Sequence, residues 1–336
     1  MRHGTKTILV AAGIGLCSAA TTAAAPGYKH YVVGNAADVT TVTTPLLVMQ
    51  GGGTDVDANF VRMGAAAGGG DFVVIRASGT DAYNPYILDL CGCDSVETFV
   101  FKNRNGAYQP FVIDHIRNAE ALFIAGGDQS KYVDFWKGTP VEDAINYLAN
   151  VKKVPIGGTS AGMAVLGEFL YSAMSNKSLT SPVALANPFD NDVTLDREFL
   201  TIPTQAGIIT DQHLIERDRM GRTVTFLARL IKDGWTQQGL AIAADRETAV
   251  HVDPQTGKAT IFATPTHPTP YAYFLRTPGP PEICQPRVPL TFHNVQVYRV
   301  DPSGWFDLTT WTGHEGIAYT LSADAGVLTS SNGSIY

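Results

Sequence analysis

Between about Thr44 and Phe262 the chain alternates short apolar, β-branched runs with longer runs of helical period, which predicts an α/β domain of three layers. Two further observations point the same way. Glycine clusters fall at the carboxyl ends of three strand-like runs, where open parallel sheets place their ligand crevice. From Val250 onward the texture changes to short strands, prolines and turns, which predicts a β-rich extension packed on the main domain.

The strands are read at Leu46 to Gln50, Phe72 to Ala77, Val96 to Phe101, Ala121 to Ala125, Val154 to Ile156, Gly207 to Thr210 and Leu240 to Ala244. Helices include Asp57 to Ala67, Val141 to Asn150 and Arg219 to Ile231, with an apolar run of helical type from Ala164 to Met174. Strands alternating with helices imply parallel pairing through crossover connections. The three glycine clusters are Gly51-Gly52-Gly53, Gly126-Gly127 ahead of Asp128-Gln129, and the turn around Ser160. Neither a dinucleotide fingerprint nor a lysine-containing phosphate loop is present in usable form.

Ahead of the domain, Met1 to Lys6 carries charge, Ile8 to Ala20 is apolar, and Thr21 to Ala25 is small, which is the order of a secretory signal. The apolar part is too short for a permanent anchor. Leu16 before Cys17 is too large for a lipoprotein cleavage box, so a cut near Ala23 to Ala25 is expected. The predicted organisation is a signal over 1–25, an α/β peptidase-sized domain over 26–262 and the extension over 263–336. The mature chain is expected to be soluble and secreted or periplasmic, with no membrane partner.

Without Arg2 and Lys6 the chain has 22 basic and 31 acidic residues, a net charge of −9. That argues against nucleic acid or an anionic membrane as partner and is compatible with a cationic substrate. Cys91, Cys93 and Cys284 remain after cleavage. An oxidising compartment favours a bridge from Cys284 to one of the close pair, leaving one thiol over. No further ligands complete a metal set around these cysteines, and no metal or cofactor is expected.

Gly158-Thr159-Ser160-Ala161-Gly162 has the form of a nucleophile elbow. A serine on a sharp strand-to-helix turn needs small neighbours, because its backbone is strained and its hydroxyl must stand clear of the sheet. Such a serine needs a base within hydrogen-bond reach. His213 follows the strand at Gly207 to Thr210 and would share the rim with Ser160. Arg217, Arg219 and Arg222 then place three positive charges at a helix start, where they oppose the dipole. A carboxylate ligand is their natural partner, although a solvated face paired with Glu216 and Asp218 is the plainer reading.

The Ser160 turn, Gly126-Gly127-Asp128-Gln129 with Gln129 31 residues before the serine, and Asp211-Gln212-His213 with its spaced arginines resemble the cyanophycinase branch of the S51 serine peptidases. The resemblance implies a parallel-sheet fold of class I glutamine amidotransferase-like type and hydrolysis of bonds after aspartate, in particular within the β-aspartyl-arginine polymer cyanophycin. It implies Ser160 as nucleophile and His213 as general base. Gln129, Asp211, Gln212, Arg217, Arg219 and Arg222 would line the substrate groove, with the arginines meeting carboxylates. Backbone N–H groups of Ala161 and of Gly127 or Asp128 would form the oxyanion hole.

The family's third residue is an acid in a strand ending Asp-Glu-x-Thr-Ala. Here Arg246 stands in its place, flanked by Asp245 and Glu247, and Glu247 is taken as the acid behind His213, with Asp245 as the other candidate. The segment Ser175 to Thr204 is long for the family and would cover the cleft differently. By analogy the family suggests a homodimer. Other readings are an S51 peptidase acting on other aspartyl or isoaspartyl peptides, a binding protein with a decayed triad, and an esterase whose histidine would be His314.

Overall fold

The computed structural model describes Met1 and residues 26–336, so the segment read as an export signal lies outside the described residues. In chain order the strands are β1 (Tyr28–Gly34), β2 (Leu47–Gln50), β3 (Asp71–Arg76), β4 (Ser95–Phe101), β5 (Ala121–Ile124), β6 (Ile156–Thr159), β7 (Phe169–Tyr171), β8 (Leu195–Arg197) and β9 (Ile208–Asp211). They continue as β10 (Leu240–Ala244), β11 (Thr248–Val252), β12 (Lys258–Ala263), β13 (Ala272–Arg276), β14 (Phe292–Val300), β15 (Trp305–Asp307), β16 (Thr312–His314), β17 (Ile317–Asp324) and β18 (Val327–Ser330). The α-helices are α1 (Asp57–Ala66), α2 (Tyr83–Cys91), α3 (Pro110–Asn118), α4 (Gln129–Trp136), α5 (Pro140–Tyr147), α6 (Ala161–Ala164), α7 (Ser181–Ala186) and α8 (Met220–Lys232).

The strands form two sheets. A ten-stranded sheet runs β1-β4-β3-β5-β6-β2-β11-β12-β15-β16, and an eight-stranded sheet runs β18-β17-β14-β13-β10-β9-β7-β8. In the first, β4, β3, β5, β6 and β2 pair in parallel. Their successive side chains serve two cores, as strands covered on both faces must. Val48, Phe72, Val74 and Phe123 pack on Phe60 and Met63 of α1 and Ile87 of α2. On the opposite face Met49, Val73, Ile75 and Leu122 pack on Ile116 of α3, Trp136 of α4 and Ile145 of α5. These are the three expected layers.

The strands read at 207–210 and 240–244 do not extend that parallel sheet. They begin the second one, where Ile208, Ile242 and Phe274 face the core that α3, α4 and α5 also cover, while Ile209, Ala241 and Tyr273 face α8. The β-rich stretch after residue 263 supplies β13, β14, β17 and β18 to the second sheet and β15 and β16 to the first. Among the described residues no helix is long and apolar enough to cross a membrane.

Two expectations are corrected here. The run 164–174 is not a helix, because α6 stops after one turn and β7 pairs with β8 and β9. Gly167 lies so close to the second sheet that a Cβ would stand 2.7 Å from the Ile208 carbonyl oxygen. The disulfide joins Cys91 to Cys93, while Cys284 is a buried free thiol. Cys91 belongs to the core beneath α1 and α2 and Cys284 to the core beneath α8, so the two cannot meet.

Candidate active site

Gly158 and Gly162 explain why the Ser160 turn is possible. A Cβ on Gly158 would come within 2.6 Å of the Gly162 backbone, and one on Gly162 within 1.9 Å of the Ile124 carbonyl at the end of β5. With those side chains absent, the chain reverses directly above the sheet. Ser160 takes φ 52° and ψ −114°, a conformation that L-residues adopt only under constraint. Its N–H donates to the Gln50 carbonyl at 3.0 Å, which anchors the elbow to β2.

His213 reaches the serine from the second sheet. Its ring Nε2 lies 2.9 Å from Ser160 Oγ. The Gly51-Gly52-Gly53 loop supports the imidazole from the first sheet. The His213 N–H donates to the Gly51 carbonyl at 2.8 Å, and a Cβ on Gly52 would stand 2.3 Å from Nε2. The side chain of Gln50 stiffens that loop, donating to the Thr54 carbonyl at 3.0 Å and accepting from the Val56 N–H at 3.1 Å.

The acid behind His213 is not the one expected. His213 Nδ1 lies 2.5 Å from Glu216 Oε2, three residues further along the same tight turn. Glu247, with φ 57°, turns its carboxylate the other way, toward Thr54 at 3.4 Å and Thr264 at 3.2 Å. Asp245 is also engaged elsewhere. Its Oδ1 accepts the N–H groups of Ile215 and Glu216, each at 3.0 Å. Asp245 therefore holds the turn that carries the acid, without touching the imidazole. Glu216 follows His213 by three residues, and that spacing is the sequence signal that points to it.

Burial pushes the His213 imidazole below its ordinary value, and the charges of Arg217 and Arg219 add to this, while the Glu216 hydrogen bond opposes it. Burial acts to raise Glu216, yet the hydrogen bond from His213 and the nearby cations hold it below the usual carboxylate range. The ring is therefore neutral near neutral pH, with a charged carboxylate at one nitrogen and a hydroxyl at the other.

A cleft of about 270 Å³ opens beside Ser160, lined by Gly127, Gln129, Tyr171, Lys177, Gln212, Arg217 and Arg219 among others. Gly127 has φ 153° and lies under Tyr132, whose hydroxyl a Cβ would approach to 2.9 Å. A Cβ on Gly126 would be 3.5 Å from the Ser160 Cβ, so this loop flanks the nucleophile as expected for an oxyanion loop. The Asp128 side chain caps α4 by accepting the Ser130 N–H at 3.0 Å, and the residue also lines the cleft. Ala161 opens α6 beside Ser160, where first-turn N–H groups lack intrahelical partners. Gln129 donates to the Tyr171 carbonyl at 3.4 Å.

The expected arginine triplet divides. Arg222 and Asp211 form a buried pair, with Nε 3.0 Å from Oδ2 and Nη2 bonded to Oδ1, and Thr223 also donates to Asp211 at 2.7 Å. Arg222 lines the cleft as expected, but its charge is already paired with Asp211, which does not reach the cleft. Arg219 donates to the Gln212 carbonyl at 3.0 Å and to its side-chain oxygen, and Arg217 is 49% exposed at the rim. Lys177 and Ser178, in the long segment read as a cleft cover, also line it, together with Ala173 and Asn176. His314 sits on edge strand β16 with its ring stacked on Trp305 at 3.8 Å, which removes the esterase assignment.

Hydroxyl, imidazole and carboxylate in hydrogen-bonded series on a strained elbow form the constellation of acyl-transfer hydrolases. The chain is similar to the cyanophycinases of Trichormus variabilis (25% identical over 146 residues, 42% of this chain and 44% of that protein) and Synechococcus elongatus (26% over 150 residues, 44% and 42%). It is likewise similar to that of Geminocystis herdmanii, 29% identical over 115 residues, 34% of this chain and 38% of that protein. The matched stretch spans less than half the length of these relatives. No family model matches the chain. Among solved structures it is similar to a peptidase from an acI-B1 Actinobacterium, with TM-score 0.47, 15% identity, and 66% of this chain and 89% of that one covered. It is also similar to a putative peptidase E protein from Listeria monocytogenes, with TM-score 0.38, 11% identity, and coverages of 66% and 100%. The resemblance carried by the motifs is thus accompanied by partial sequence similarity, over 34–44% of the chain, to proteins named as cyanophycinases.

Proposed function

We propose that the chain is an exported serine peptidase that cleaves aspartyl peptide bonds, with the β-aspartyl-arginine polymer as its substrate. The observation that carries this reading is the Ser160–His213–Glu216 series, with contacts of 2.9 Å and 2.5 Å. Ser160 Oγ attacks the scissile carbonyl carbon while His213 Nε2 takes the hydroxyl proton. N–H groups of Ala161 and of Gly127 or Asp128 receive the oxyanion. The C–N bond then breaks, His213 returns the proton to the leaving amine, and water releases the acyl group by the same path. Glu216 keeps Nδ1 protonated and stabilises the imidazolium. Arg217 and Arg219 meet carboxylates of the substrate, and the acidic surface suits its guanidinium groups.

The test is incubation of the mature chain with purified cyanophycin, following release of β-Asp-Arg dipeptide, alongside labelling by a fluorophosphonate. Dipeptide release and labelling that both vanish in Ser160→Ala are the expected result. Labelling with intact polymer would retain the serine hydrolase and remove the polymer. No labelling between about pH 6 and 9 would remove the enzyme. Intact-mass measurement of exported protein, with a start near residue 26, checks the signal. A second reading, hydrolysis of short aspartyl or isoaspartyl peptides, draws support from the commitment of Arg222 to Asp211, which leaves fewer cationic anchors for a polymer.

A further inference from the structure

Two histidines and a glutamate converge on a face that the proposed hydrolysis does not use. In the β1–β4 pair His30 is opposite Phe99 and Val32 opposite Glu97, so His30, Phe99 and Glu97 share one side of the sheet. Helix α3 crosses that side and brings His115 one turn after Phe111. Aromatic rings wall the group, with His30 on Phe99 at 4.7 Å and His115 against Phe111 at 4.1 Å.

His30 Nε2 and His115 Nδ1 lie 2.7 Å and 2.8 Å from the same atom, Glu97 Oε2. The candidate ligand atoms all fall within 4.8 Å of one another. A cavity of about 130 Å³ adjoins Glu97 and His115, lined also by Asp38, Asp71 and Asn118. At about 30 Å³ each, several waters fit there.

Two imidazole nitrogens gathered on one carboxylate oxygen, beside a cavity with room for water, suit a borderline divalent ion. The expectation of no metal rested on the surroundings of the cysteines and did not weigh these residues. We propose that His30, Glu97 and His115 bind zinc(II), with water from the adjoining cavity completing a tetrahedron. Metal–ligand distances of about 2.0–2.2 Å would set the ligand atoms about 3.3 Å apart, so the imidazoles would draw back from the carboxylate by about half an ångström. The ion displaces any proton held between each imidazole and Glu97 and releases it to solvent. Asp38 and Asp71 at the cavity wall offset the remaining positive charge. Bound zinc would clamp the edge strand β1 and helix α3 to β4.

The experiment is calorimetric titration of the EDTA-treated, dialysed chain with zinc chloride, paired with thermal unfolding. One ion per chain, a raised Tm, and at least a tenfold loss of affinity in His30→Gln and in His115→Gln are expected. No binding, or unchanged affinity in the double variant H30Q/H115Q, overturns the proposal. Cobalt(II) added to the unmodified chain gives a reading independent of variant folding. Intense visible bands that zinc displaces are expected, and the weak spectrum of a six-coordinate ion contradicts the tetrahedral site.

Discussion

Replacing Glu216 by Gln preserves the shape of the side chain while removing the charge that His213 faces. In the folded chain Glu216 Oε2 is 2.5 Å from His213 Nδ1, so an amide can turn its NH₂ toward the ring and favour the wrong tautomer. A fully buried acid lost in this way lowers turnover by about 10⁴ in the serine-protease template. Glu216 is 37% exposed, so solvent screens part of its charge. We therefore expect E216Q to lower kcat/KM on an aspartyl peptide by about 10²–10³, equivalent to about 2.7–4.1 kcal/mol of barrier. The controls are Glu247→Gln, expected to change kcat/KM less than threefold, and Asp245→Asn, expected to act indirectly through the turn. The assay is steady-state peptide hydrolysis with the rate of fluorophosphonate labelling as a second measure. An E216Q enzyme within threefold of the unsubstituted one, beside an inactive E247Q, would refute the assignment.

Because His213 must be neutral to take a proton and its value is lowered, the acid limb of kcat/KM is expected below pH 6.5, and Arg217→Gln should move that limb upward by removing a nearby positive charge. A pH–rate profile of both proteins checks this. Gly52→Ala should abolish most labelling while circular dichroism stays native, because a Cβ there would stand 2.3 Å from Nε2 and a φ of +108° suits glycine. Asp211→Ala strands the buried Arg222 charge, and a loss of about 3–5 kcal/mol is expected in denaturant unfolding; an unchanged midpoint would contradict a buried pair.

The layers around β2 to β5 were legible because each strand there is a short, largely apolar run bounded by glycine or a polar turn, whereas β6 runs Ile156–Thr159 and begins only at the end of the apolar run read at Val154 to Ile156. Local pattern could not assign strands to sheets. Ile208 to Asp211 reads as another parallel strand, and its partners β10 and β7 place it in the second sheet only through long-range pairing. At the site, Ser160 was legible because glycines at both flanks are demanded by contacts of under 3 Å. The pairing of Arg222 was not legible because its partner, Asp211, is eleven residues away and helix-dipole reasoning sees only the local charge. Glu247 was favoured because strand alignment ignores the positive φ that turns its side chain away. His30, Glu97 and His115 have no spacing signature at all, being joined only by strand register and a crossing helix.

Ser160 stands at the end of a strand in one sheet and His213 just beyond a strand in the other. The nucleophile and its base are therefore built separately and meet only when the two halves dock. A chain in which the first sheet has formed alone holds an inert serine, and the C-terminal strands that complete the second sheet become a condition for chemistry. Hydrolysis of the proposed kind would therefore depend on the docking of the two sheets as much as on the three side chains themselves.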